Sequence, residues 1–429
     1  MITPKDGLAL AQYTMIEKIF QSHSQSDGPI APGDVIWLDI DVRSARDFGG
    51  PNVVQNLEKY YPNSSKIADP AKTFFTFDCN LPNNIPYAQN QHRCRLFARK
   101  EGIRLYDINM GIGSHLMIEE GLAVPGGTIV GTDSHLNIMG AVGAFGQGMG
   151  DQDIAFTWKT GKTWFEVPST MHVEVSGSLE YPLTAKDLTL AIIRKLGSKG
   201  ALGRAVEFTG EVIKNLSLAG RITLASMVTE MGGIIGFISP SKAVMDYCRS
   251  RAGNISLEPV SSDEGCDYIE SVVINIDDLN PLIAIPPNPE NVYPVSEIEK
   301  RSVDSVFIGS CTNGRIEDIE PALNLIKQHG IADNVMLKIV PATREVYQEL
   351  MKKGLVHALF DAGGVAMLPP GCGGCASGQI GMTGTGEVQI STGNRNFTGK
   401  QGAGDTYLAS PLTAAACAIK GVISSPEEL

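Results

Sequence analysis

The sequence predicts an α/β protein of two or three domains, and three observations predict it. The chain has 429 residues, whereas an ordinary domain has roughly 100–200. In its first third, short apolar runs end in polar, glycine-containing loops: VIWLDI at 35–40, and TIV at 128–130 running into GTDSH. Beyond 296 the pattern becomes a regular alternation of strand, loop, helix and strand, which favours a parallel sheet covered by helices.

Composition narrows the class. Hydrophobic residues are 43% and charged residues 19% of the chain, enough apolar material for a large core and too much for a mainly disordered chain. The net charge is −12. With no basic run, electrostatic binding to nucleic acid or to an anionic membrane is not expected. A small anionic substrate remains compatible, because a few local cations decide that. The N-terminus lacks the basic-then-apolar pattern of a secretory signal, and no apolar run suffices to span a bilayer. A cytoplasmic protein is expected. Of eight cysteines only Cys372 and Cys375 are close together, which is no disulfide scaffold and suggests a metal or redox site.

The elements follow in order. An amphipathic helix is expected over 8–25, a buried strand over 35–40 and an apolar run over 74–77 that ends in Asp78 and Cys79. Helices are expected over 92–100 and, from small residues at near-helical spacing, over 138–150. A well-patterned helix covers 184–196 with Thr184 as its N-cap. The proline-rich stretch 280–296 reads as a linker. Then come a strand (305–309), the loop SCTNGR, a helix (316–328), a strand (335–340), a helix (344–353) and an apolar strand (364–368) ending in PPGCGGC. The expected domains are 1–170, 171–285 and 286–429. In open α/β sheets sites form beyond the carboxyl ends of strands, where Cys311 and Cys372 would both lie. The 47 glycines concentrate around 109–150 and 362–404, among Asp, His, Cys and Asn, as expected of loops that approach a ligand.

Three groups of residues could carry chemistry. Cys311, Cys372 and Cys375 offer soft thiolates, suited to an iron–sulfur cluster or to zinc. Zinc would want a fourth Cys or His nearby, and a redox dithiol would normally open a helix, which the two glycines of Cys-Gly-Gly-Cys oppose. Three cysteines around a four-iron cluster would leave one iron able to act as a Lewis acid on a hydroxyl. The second group is His115, Glu119, Glu120, Asp133 and His135, in which a carboxylate beside an imidazole suits proton transfer. The third is Asn394–Lys400, whose Arg395 and Lys400 could hold carboxylates or could be surface cations on a turn. Cys94, Cys248, Cys266 and Cys417 read as buried or inert.

Taken together, GTDSHLNIMGAVGAFGQGMG, AKDLTLAII, IGSCTNGRIEDI, PPGCGGC and STGNRNFTGKQGAGDTYLASP resemble the aconitase superfamily. In order and spacing they are similar to its separate large subunits, those of 3-isopropylmalate dehydratase and homoaconitase. The resemblance implies three-layer α/β/α domains around a central cluster site, without the swivelling C-terminal domain. It implies a [4Fe-4S] cluster on Cys311, Cys372 and Cys375. The implied activity is removal and re-addition of water on a small 2-hydroxy di- or tricarboxylic acid, 3-isopropylmalate-like. By position it implies catalytic roles for Asp78, His115, Asp133, His135 and Glu230. Substrate contacts are implied for Asp47, Ser134, Asn313, Arg395 and Lys400. The implied partner is a separate small subunit whose swivel domain supplies the proton-abstracting serine.

Five positions depart from the family pattern. Asp-His-x-x-Pro is Asp78-Cys79-Asn80-Leu81-Pro82, His-Asp is Arg46-Asp47, and Asp-Ser-His-Thr ends in Leu136. The Asn of the Asn-Met segment is Ser226, and the second arginine is Lys400. Cys79 therefore stands as a neutral thiol or as a further cluster ligand. The alternatives are a different acid, of dimethylmalate or maleate type, or a non-catalytic iron-sensing or scaffold subunit.

Overall fold

The computed structural model describes residues 12–25, 28–62, 66–82, 84–363, 367–375 and 382–429. The described chain opens with a helix, Met15–His23, and an edge strand, β1 (Val35–Asp39). Five strands then form the first sheet: β2 (Val42–Arg46), β3 (Thr73–Thr76), β4 (Arg104–Tyr106), β5 (Thr128–Gly131) and β6 (Phe145–Gly148). Their order is β4-β3-β2-β5-β6 and every pairing is parallel. β7 (Lys162–Glu166) returns to pair antiparallel with β1.

The second sheet holds β8 (Thr170–Ser176), β9 (Ala205–Thr209), β10 (Ile235–Phe237) and β11 (Glu270–Asn275) in the order β10-β9-β8-β11, again all parallel. The third holds β12 (Leu282–Ala284), β13 (Val292–Pro294), β14 (Ser305–Gly309), β15 (Met336–Val340), β16 (Val388–Ser391) and β17 (Asp405–Ala409). Its order is β13-β12-β17-β16-β14-β15, with a parallel core and an antiparallel edge. β12 belongs to this sheet although it lies upstream of residue 286.

The helix 184–196 forms as Ala185–Leu196, and Thr184 accepts from Lys186 N as its cap. Three expectations change. Residues 145–148 are a strand rather than the end of a helix, preceded by a 3-10 segment, Leu136–Val142. Small residues at helical spacing also suit a strand that packs closely on its neighbours, and that packing decided. The segment 280–296 carries two paired strands instead of a linker, because prolines are tolerated at a sheet edge where N–H donors are dispensable. SCTNGR contains a one-turn helix, Ser310–Asn313. Of the strand expected over 364–368, residues 364–366 lie outside the described residues.

Sheets one and three meet along a backbone seam. Ile112 N donates to Ala342 O at 2.8 Å and Arg344 N to Met110 O at 2.9 Å. Lys186, fully buried on the helix Ala185–Leu196, donates through Nζ to the carbonyls of Thr392 (3.1 Å) and Gly393 (2.7 Å), just beyond β16 of the third sheet. No described helix is long and apolar enough to cross a membrane.

The third sheet also buries Lys338, whose Nζ donates to Gln389 Oε1 at 3.0 Å. Burial pushes its pKa down to about 8 from 10.5. The unfolded chain keeps that proton up to about 10.5 and the folded chain releases it near 8, so stability should rise with pH between those values and fall as pH drops through 8. Lys338→Met should raise the urea midpoint at neutral pH and flatten that rise. Urea titrations near neutrality and near pH 10 check this.

Candidate functional site

The carboxyl ends of the first and third sheets deliver the candidate residues to one place. β2 ends at Arg46 and is followed by Asp47; Asp78 follows β3, and Asp133 follows β5. The helix Gly113–Glu119 carries His115. From the third sheet come Cys311, after β14, and the 392–396 loop, after β16. Glu230 arrives from between β9 and β10 of the second sheet on a 3-10 turn, Met227–Met231.

Arg46 is the hub. Its Nε donates to Asp78 Oδ1 (2.6 Å), Nη1 to Asp133 Oδ1 (3.0 Å) and Nη2 to Cys372 Sγ (2.6 Å). Burial works against its charge, but Asp133 and Asp78 outweigh burial and hold its pKa above the usual arginine range. Burial pushes the Asp78 carboxyl up to about 6, against the pull of Arg46. Asp78 Oδ2 also accepts from Gly113 N at 2.7 Å. Asp133 is likewise buried, yet Arg46 and His135 hold it below the usual carboxylate range.

Asp47 does different work. It accepts from the backbone N–H groups of Asp78, Cys79 and Asn80, from Tyr87 Oη (2.9 Å) and from Gln91 Nε2 (3.2 Å). Five donors on one buried carboxylate fix the 78–80 loop. Cys79 is buried there, with Sγ 3.4 Å from Asp78 Oδ1, and burial pushes its thiol well up.

His115 is fully buried, with Nε2 2.9 Å from Cys311 O. Burial and the nearby Arg315 push the imidazole down to about 3, so it is neutral. Nε2 therefore carries the proton donated to the carbonyl, and Nδ1 is left as an acceptor. On the other side, His135 Nε2 lies 3.2 Å from Glu230 Oε1, which also accepts from Arg395 Nε at 2.8 Å. Despite burial, His135 and Arg395 keep the Glu230 carboxylate below its usual range. Ser134 Oγ lies 3.4 Å from His135 Nδ1. Asn313 is spent on Thr223 Oγ1 (3.1 Å) and Asp318 Oδ1 (2.9 Å). Among the described residues, the Lys400 ammonium has no hydrogen-bond or ion-pair partner.

Cys311 and Cys372 are buried and share one apolar lining with Ile112 and Ala342. Cys311 Sγ lies 3.5 Å from Asn394 Oδ1, which also accepts from Thr312 Oγ1 at 2.5 Å. The backbone of Cys375 closes a short turn, Gly373–Cys375, and its side chain lies outside the described residues. The polar atoms buried without a partner among the described residues include His115 Nδ1, Asp133 Oδ2 and Asn394 Nδ2. His115 and Asn394 each bond Cys311, and Asp133 bonds the arginine that bonds Cys372. Soft sulfur donors in an apolar lining, ringed by unmet polar atoms, fit an iron–sulfur group.

The aconitase family model (aconitate hydratase) matches residues 17–421. The 3-isopropylmalate dehydratase large subunit 1 of Methanopyrus kandleri is 39% identical over 96% of this chain and 98% of its own. The chain belongs to the aconitase family. Membership makes it a hydro-lyase, as the motifs implied. Another relative, the probable methanogen homoaconitase large subunit of Methanothermobacter thermautotrophicus, is 38% identical over 98% of this chain and 99% of its own. The holo-form of Thermococcus kodakaraensis aconitase X aligns over 83% of each chain at 14% identity with a TM-score of 0.49.

Within this aconitase-family site, the part sequence reasoning missed is the role of Arg46, which it noted only as a departure. No strand is expected over 42–46, where β2 lies, so the sequence offers no local signal for that role. Tyr87 and Gln91, which hold Asp47, carry no signal in the sequence either.

Gly309 sets the turn that presents Cys311. Its φ is +149°, and a Cβ there would lie 2.3 Å from Val340 O; Ser310 follows at φ +76°. Gly309→Ala should cost about 2–5 kcal/mol. Gly330→Ala, at φ +78° with open space around it, should cost only about 1–2 kcal/mol. Paired urea denaturation curves measure both.

Proposed function

We propose that this chain is the large subunit of a two-chain hydro-lyase that dehydrates and rehydrates a small 2-hydroxy di- or tricarboxylic acid, 3-isopropylmalate-like, with a [4Fe-4S] cluster. The single observation that carries the reading is the convergence of buried Cys311 and Cys372 with His115, Asp78 and Asp133 at the meeting of two sheets. Cys311, Cys372 and Cys375 would hold the cluster, which when bound supplies a Lewis acid for a hydroxyl oxygen.

The chain's own residues bind, orient and move protons. Arg395 spends Nε on Glu230, and among the described residues its two terminal nitrogens bond no acceptor, which leaves a fork suited to a carboxylate. Lys400 adds a second cation on the same loop. Glu230 fixes His135 through Nε2, so that imidazole has one orientation. His115 offers a bare Nδ1 as a proton acceptor. Asp78, with its pKa near 6, can carry a proton at neutral pH more readily than an exposed carboxyl. Burial of Asp78, His115 and His135 excludes water from the reacting bond.

The large-subunit names of the relatives support a separate small subunit as partner. We infer that the base for the carbon-bound proton comes from that partner.

Cys372→Ser should remove both the brown absorbance of anaerobically reconstituted protein and its turnover. The assay pairs the chain with a co-expressed small subunit on 3-isopropylmalate, homocitrate and 2,3-dimethylmalate. Turnover by protein free of iron would reject the mechanism.

A further inference from the structure

β2 lies between β3 and β5 in the first sheet. A long side chain at the end of β2 therefore sits midway between the loops that follow its two neighbours, and those loops carry Asp78 and Asp133. Arg46 occupies that position. Its backbone is held there too, with its N–H donating to Thr132 Oγ1 at 2.9 Å. A guanidinium presents five N–H donors in a rigid planar fork, so one side chain can bond in three directions with fixed angles. Arg46 does so: one carboxylate on each side and the Cys372 sulfur beyond. A lysine at the same place has three donors on a single nitrogen and could not span these acceptors. The other cations of the region face elsewhere: buried Arg315 bonds Glu119, and half-buried Arg395 bonds Glu230.

We propose that Arg46 is a positioning residue that locks Asp78, Asp133 and Cys372 into one unit. Through its bond to Cys372 Sγ it raises the reduction potential of the iron–sulfur group this cysteine holds. The inference rests on the reading of Cys372 as a cluster ligand. Hydrogen bonds and positive charge at a ligand sulfur favour the reduced form of such a group. The same fork fixes both carboxylates, and misplacing such groups by about 1 Å costs on the order of 100-fold in rate.

The test uses anaerobically reconstituted chain, as wild type, Arg46→Lys and Arg46→Gln, with the small subunit present for kinetics. Iron content, the midpoint potential from an EPR-monitored redox titration, and kcat and KM are measured. Arg95→Gln is the control, since Arg95 pairs with Asp107 away from the sulfurs. We expect both Arg46 variants to hold iron like wild type. The potential should move negative in Arg46→Gln and by less in Arg46→Lys. kcat should fall about 100-fold in Arg46→Gln with KM nearly unchanged, and Arg95→Gln should match wild type. If Arg46→Gln does not fold, Arg46→Lys decides, with a kcat loss of about tenfold or more and a lowered potential expected. A wild-type potential and kcat in Arg46→Lys and in any folded Arg46→Gln would overturn the role of Arg46 while leaving the cluster reading intact. Wild-type protein that takes up no iron would overturn both.

Discussion

Three carboxylates, Asp47, Asp78 and Asp133, are buried within a few residues' reach of one another, and a single guanidinium offsets two of them. Unpaired charge in a low-dielectric interior costs several kcal/mol or shifts the protonation state. The site therefore depends on Arg46 being present and correctly oriented. Asp133 stays ionised because Arg46 and His135 both face it. Asp78 accepts from the same guanidinium but is dragged toward its neutral form by burial. One cation thus sustains two carboxyl groups of opposite tendency. Such a split is useful where one group must hold a proton and another must not.

The surroundings keep that arrangement rigid. Asp47 collects three backbone N–H groups and two side-chain donors, so the loop that carries Asp78 and Cys79 has little freedom. The 110–112 and 342–344 segments bond backbone to backbone, which brings His115 and Cys311 within hydrogen-bonding distance. Lys186 grips the carbonyls that precede Asn394 and Arg395. Each of these contacts joins a different pair of segments, and none of them needs the substrate.

Much of this was legible in the sequence. Period and length revealed the helix 185–196 with its cap, the strands β5, β14 and β15, and the parallel sense of the third sheet's core. The motifs named candidate residues, and the structure brings His115, Cys311, Cys372, Asp78 and Asp133 together. Residues 145–148 were misread because glycine spacing suits a close-packed helix and a close-packed strand equally, and only the neighbour, β5, distinguishes them. Residues 280–296 were misread because proline signals a break without saying whether it falls in a linker or at a sheet edge. Arg46 could be seen as a departure but not as a hub. Its three acceptors come from positions 78, 133 and 372, and no local pattern encodes a meeting across that distance.

That separation in sequence orders the birth of the molecule. Arg46, Asp78 and Asp133 all emerge in the first third of synthesis, on neighbouring strands of one sheet, so the ionic knot can tie itself while the ribosome is still at work. Cys372 comes some 240 residues after Asp133. The guanidinium waits with one arm extended, and the sulfur that completes its grip is the last to be made.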